Sequence, residues 1–250
     1  MTTTTPQDQP PQTQQPAPPP PLPAQRTAER ASREKNFVLW VQHLCAQDPG
    51  ARAALRSGLR KNLDAVPRMH RFIAPYLPHD RTPLEVQQAY YAIASMIAAQ
   101  PRPAPPGSPA ATGEHDAPPG SDEGVSAAAA PAGLPERGTS LGAAFAAAVG
   151  PGREGRMREN SAESRLNLLT RQSLPGLHRH LPAAVAHLRS LDVPVDFAQL
   201  LSDLAHWPRH SGKIARRWLQ DYYRIRARDD RAAADALTSP ASTPDQPAAS

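Results

Sequence analysis

The chain has 250 residues, 31 of them Pro, and a formal net charge of +5. Residues 1–28 hold nine prolines and 101–135 another nine, with almost no large apolar side chains, so these stretches cannot bury enough surface to offset the entropy of ordering. A single cysteine excludes an intrachain disulfide and a multi-thiolate metal site; the longest apolar run, Ala89–Ala99, is too short for a membrane span; no secretory signal is visible, so a cytoplasmic protein is expected.

This division predicts a disordered tail over 1–28, a helical lobe over 29–101, a disordered insert over 102–137, a second helical lobe over 138–231 and a disordered tail over 232–250. The first predicted helix runs from Glu29 to Ala46, where Phe37, Val38, Trp40, Val41, Leu44 and Cys45 recur at helical spacing. Pro49-Gly50 breaks it, and a second helix follows from Ala51 to about Lys61. A third starts at Pro67 with Met69, Phe72, Ile73, Tyr76 and Leu77 on one face. A fourth is expected after Thr82-Pro83-Leu84-Glu85, with Thr82 as N-cap and a buried stripe of Leu84, Ala89, Tyr90, Ile93, Met96 and Ile97. It must stop near Gln100, where a run of prolines begins.

Beyond the insert, Ser140 is expected to cap a short helix carrying Leu141 and Phe145. Asn160 and Glu163 suggest a capping pair for a helix with Leu166 and Leu169. Leu181, Val185, Leu188 and Leu191 continue the pattern after Pro182. Val193-Pro194-Val195 reads as a connector, Asp196 as the cap of a helix over Phe197–Trp207, and Ser211 as the start of a last helix reaching about Arg228. No alternating β pattern exists, so the expected fold class is all-α, a two-lobed helical bundle.

Two predicted helices collect positive charge on one face. Arg52, Arg56 and Arg60 are spaced i, i+4 and i+8, within about 80° of arc. In the last helix Lys213, Arg217, Gln220, Arg224, Arg228 and Arg216 share one side of the wheel, while Ile214, Trp218, Tyr222 and Ile225 occupy another. Like charges at these spacings cost helix stability, and the face suits a phosphate backbone, which demands positive charge but no particular base. Residues 29–101 carry 10 Lys/Arg against 6 Asp/Glu, and 138–231 carry 15 against 9. The alternatives are basic residues that merely solvate the surface, a helical regulator reading duplex DNA, and a structural adaptor docking acidic proteins.

The other constellations are weaker. His178-Arg179-His180 and His206 with His210 lack completing ligands, and His43 and Cys45 point to opposite sides of a helix. Trp40, Trp207 and Trp218 read as core residues. No catalytic arrangement, metal site or cofactor is expected.

Four segments carry a resemblance: Ser140-Leu141-Gly142-Ala143-Ala144-Phe145, Glu163-Ser164-Arg165, Val193–Leu201, and Ala215-Arg216-Arg217-Trp218-Leu219-Gln220-Asp221-Tyr222-Tyr223. Together with Ala51–Arg56 and Pro75-Tyr76 they resemble the CasB family, the small subunits of the type I-E CRISPR surveillance complex, Cascade. The resemblance covers about 29–101 and 138–228. It implies a non-enzymatic helical subunit, two copies of which sit head to tail beside the guide RNA–target DNA hybrid among the other Cascade subunits and help hold the R-loop open. The matching positions are Arg52, Arg56, Arg165, Arg171, Lys213, Arg216, Arg217 and Arg224. Ser164-Arg165-Leu166 stands where the family often has Arg-Arg-Phe.

Overall fold

The computed structural model describes residues 23–77, 82–101, 138–150 and 156–238. The expected insert 102–137 and most of both expected tails lie outside the described residues. Within them the chain is all-helical, with one isolated bridge between Val149 and Met157. In order, the helices are α1 (Pro23–Gln47), α2 (Pro49–Arg56), α3 (Pro67–Ile73), α4 (Leu84–Ala99), α5 (Leu141–Ala148), α6 (Glu159–Thr170), α7 (Leu174–Ser190) and α8 (Phe197–Thr238).

Local chemistry sets most of the boundaries. Asp48 accepts from the amides of Gly50 and Ala51 and, with Pro49 behind it, starts α2. Ser140 accepts from the Ala143 amide, Ser173 from Gly176, and Asp196 from both Ala198 and Gln199. The second Asp196 oxygen takes the Thr139 amide, tying the start of α8 to the residue before the α5 cap.

Several expected boundaries shift. α1 begins at Pro23, six residues early, with proline at the first helical position, where its missing amide costs nothing. α2 stops at Arg56 rather than Lys61: the chain turns at Gly58, and Arg60 adopts a left-handed φ of 62°. Pro83, not Thr82, is the N-cap of α4; its carbonyl accepts from Val86 and Gln87, while the Gln87 amide group reaches back to the Thr82 carbonyl. Leu84 is 65% exposed and so leaves the expected stripe. α6 starts at Glu159 after Arg158, which makes no side-chain cap bond, so Asn160 lies inside the helix instead of capping it, and Glu163 bonds Tyr223. α7 starts at Leu174 and runs straight through the buried Pro182. The last two expected helices are both present and follow one another directly, separated by the non-helical His210 (φ −136°, ψ 22°) just after Pro208, which lacks the amide that would bond one turn back; the pair is labelled α8. α8 continues to Thr238, into the expected tail, supported by Arg226 pairing with Asp229 and Asp230 and by an alanine-rich end.

Helices α1–α8 pack around one shared apolar cluster that spans both halves of the chain. α4 is buried nearly all round, through Ala89–Ala98 apart from Ala92, so it is the central helix. α8 packs against α1, α4 and α5. Its Trp207, Trp218 and Tyr222 are among the largest fully buried side chains, and the two indole rings lie 5.2 Å apart. The α5 crossing is the tightest. A Cβ at Gly142 would sit 1.8 Å from the Trp218 carbonyl oxygen, so backbone meets backbone there.

Candidate nucleic-acid interface

Burial of Ile214, Trp218 and Tyr222 turns the opposite face of α8 outward. That face lies against α6, which runs antiparallel to it: Arg226 meets Glu159, and Tyr223 meets Glu163. Between the two helices lies an open groove of about 620 Å³, with Asn167 and Arg171 on the α6 side and Arg216, Gln220, Tyr223 and Arg224 on the α8 side. Among the described residues, no carboxylate lies within ion-pair distance of Arg171, Arg216 or Lys213. Arg224 is 73% exposed and only 4.0 Å from Asp221.

The expected arginines separate into two kinds. Arg171, Arg216 and Arg224 converge on the groove, and Lys213 is exposed beside it on α8. Arg217 does not share this face. Its guanidinium pairs with Asp203, a carboxylate 3% exposed that also accepts from Trp218 Nε1 at 2.7 Å and Gln199 Nε2 at 2.9 Å. Asp203 precedes the kink and Arg217 follows it, so the pair braces the bend. Arg52 is also engaged: Nε donates to the Ala98 carbonyl at 3.1 Å and Nη2 to that of Gln100, closing the end of α4 where the helix dipole favours a cation. Arg189 reaches the same place through the Gln100 side chain. Arg56 and Arg60 are exposed, but the end of α2 and the reversal at Arg60 break the helical register expected with Arg52. Arg165 is exposed on α6, and its positive charge, after burial, helps hold the His187 imidazole below its usual range.

A polar seam with buried carboxylates at Glu34 and Asp203 lies between α1 and α8. Burial pushes the Glu34 carboxyl up to about 7, with nearby Asp203 adding to the rise; a hydrogen bond with Ser202 and the charges of Arg30 and Arg33 oppose it. Arg30 donates to His206 Nε2, and His206 Nδ1 lies 2.6 Å from the Ser202 carbonyl; since arginine cannot accept, the imidazole carries its proton on Nδ1. Burial, with the Glu34 charge beside it, raises the Tyr90 hydroxyl to about 12. In α7, burial lowers the His178 imidazole to about 4, and its Nε2 has no partner among the described residues.

Gln220 already lies on the basic arc in sequence, but Asn167 and Tyr223 do not stand out. A signal exists for the tyrosine: Tyr222 follows Trp218 by four residues into the core, so Tyr223, about 100° further round, must face out, seven residues after Arg216. Among the described residues no group of three or more His, Cys, Asp or Glu is placed to hold a metal ion, and no helix is long and apolar enough to cross a membrane.

Comparison with known proteins gives this arrangement a context. No curated protein matches the chain. A solved chain described as part of a "CRISPR RNA-guided surveillance complex" is 34% identical, with a TM-score of 0.61, over 82% of this chain and 99% of that one. A second, from the same kind of complex in a pre-nicking state, is 33% identical with a TM-score of 0.62, over 81% and 98%. CasB from Thermus thermophilus shares the fold at 23% identity and a TM-score of 0.51, over 76% and 97%. Residues 51–223 match the CRISPR-associated protein Cse2 family, and with these relatives the match establishes that the chain belongs to it.

Proposed function

We propose that the chain is a non-catalytic subunit of a CRISPR RNA-guided surveillance complex and that it holds nucleic acid through the α6–α8 groove. The reading is carried by the contrast among its arginines: those of the interior are paired, whereas Arg171 and Arg216 line a groove with no carboxylate in ion-pair reach among the described residues. Two or three guanidinium forks across one groove suit successive phosphates, and each contact releases counterions without reading sequence. Base pairing between guide and target supplies specificity in such complexes, so a backbone-binding accessory is sufficient to stabilise the hybrid and the displaced strand of an R-loop.

In this reading the partners are the other subunits, a second copy of the chain, the guide RNA and the target DNA, in the cytoplasm. Arg171, Arg216, Arg224 and Lys213 make the main contacts. Arg56, Arg60 and Arg165 are secondary, while Arg52 and Arg217 act through the fold. The proline-rich, net acidic stretch 102–137 takes no part in phosphate binding; a short Gly/Ser linker in place of 103–136 should leave binding intact. The relatives of 33–34% identity, which are chains of the surveillance complex, support the assembly.

The test is titration of mixed-sequence oligonucleotides by the full chain, free and in the reconstituted complex, across a range of salt. Changing Arg171 and Arg216 together to Gln should weaken binding and flatten the slope of log K against log salt by roughly two units. Arg102 and Arg137, changed together, are the charge-matched control. Equal losses in the two doubles would reduce the effect to net charge. A preference for one duplex sequence would favour a regulator, and no binding at all an adaptor.

A further inference from the structure

The groove holds one side chain that phosphate binding does not require. Tyr223 is 47% exposed, in a helix whose neighbouring Tyr222 is 1% exposed. An exposed tyrosine normally samples several rotamers, but this one is fastened on two sides. Its hydroxyl donates to Glu163 Oε1 at 2.6 Å. Its ring meets the immobile Tyr222 ring edge to face, with centroids 5.2 Å apart and planes at 79°. Tyr222 is in turn anchored through its hydroxyl, 3.4 Å from the Glu159 carbonyl oxygen. The ring therefore stands in the groove with its orientation fixed before any ligand arrives, and ordering it on binding costs little.

We infer that Tyr223 is a stacking platform for an unpaired base, so that the α6–α8 groove takes single-stranded nucleic acid in preference to duplex. The inference rests on the groove being the nucleic-acid interface and goes further by assigning the form of the strand. Charge separates the two tasks. The Glu163 carboxylate at the hydroxyl end of Tyr223 repels phosphate, which directs the backbone toward Arg171, Arg216 and Arg224 and leaves the base for the ring. Arg216 and Arg224 are eight residues apart, a rise of about 12 Å along α8, and Tyr223 lies within that interval. A positively charged track beside an aromatic face binds any sequence, because every base has a π-face.

The full chain should be titrated with a mixed-sequence single strand containing 2-aminopurine, with the same sequence in RNA, and with the matching duplex. Tyr223→Leu keeps bulk but removes the π-face: single-strand affinity should fall about tenfold, with the salt slope and duplex affinity unchanged. Tyr223→Phe and Tyr223→Trp keep a face and should retain most of the affinity and the change in 2-aminopurine emission. Melting of each variant shows whether the fold survives. Should Tyr223→Leu fail to fold, the unaltered protein still decides the matter: an emission change on binding supports stacking, and its absence overturns it. Single-strand affinity equal in Tyr223→Leu and the original overturns the platform while leaving the groove intact, provided the Arg171/Arg216 double still weakens binding. If that double binds normally, the groove reading itself fails. Loss of assembly with the other subunits, without loss of strand binding, would assign the ring to a protein contact and overturn the inference.

Discussion

Arg216 and Arg217 are neighbours in sequence and opposites in structure. Arg217 faces the α1–α8 seam, where Asp203 holds it together with the Trp218 indole; Arg216 faces the groove with no carboxylate in reach among the described residues. The same side chain is a brace in one place and an open fork in the other, and the difference is about 100° of helix rotation. In the seam, the Asp203 carboxylate is buried and fully paired, so its removal should be felt as lost stability. In the groove, charge is solvated, so under the proposed function its removal should be felt as lost binding. The two regions thus predict separable phenotypes.

The largest effect is expected at Asp203. Changing it to Ala strands Arg217, Trp218 Nε1 and the Gln199 amide together, and should lower unfolding free energy by about 3 kcal/mol in urea titrations. Folded Asp203→Ala protein should still bind oligonucleotide normally; loss of binding at full folding would break the division between seam and groove.

Glu34 and His178 come next, through pH. Glu34, raised from about 4.5 to about 7, keeps a proton in the folded state that the unfolded chain has shed, so its contribution is present below pH 4.5 and is lost as pH rises through 7. His178, lowered from 6.5 to about 4, has the opposite sign: the unfolded chain binds the proton first, so stability falls as pH drops from 6.5 toward 4. The two oppose each other over most of the window from pH 4.5 to 6.5. Glu34→Gln should unmask the histidine, giving stability that rises with pH there. It should also raise stability at pH 8 by up to about 3 kcal/mol. A pH profile unchanged by Glu34→Gln would mean that the seam does not hold a protonated carboxyl.

A smaller cost is expected at Arg52→Ala, which frees the carbonyls of Ala98 and Gln100: about 1–2 kcal/mol, with no change in the salt slope of binding. The smallest stability effect belongs to Arg216→Gln, within about 0.5 kcal/mol by thermal melting, although it should remove one unit from the salt slope.

Much of the fold was legible because its signals are local. Ser140, Asp196 and the Pro49-Gly50 break act on amides within a turn, and the apolar stripes of α1, α4 and α8 follow helical periodicity. What was not legible depended on partners far along the chain. Glu163 looked like a capping residue until Tyr223, 60 residues away, claimed its carboxylate. Arg52 looked like part of a basic face, but the end of α4 lies within its reach. Arg217 fell on the outward arc of an ideal wheel, yet an arginine side chain is long enough to cross a kink that periodicity does not register. The groove itself was half legible: α8 supplied its basic wall by pattern, while the α6 wall came into view only through antiparallel packing.

The contact at Gly142 works as a keyway. With the α5 backbone seated against the Trp218 carbonyl, α8 cannot turn about its own axis without driving main chain into main chain. A helix held this way keeps its angular settings. The compass bearings of Arg216, Tyr223 and Arg224 are therefore set from behind, by a residue with no side chain. Any larger residue at 142 would misalign all three at once.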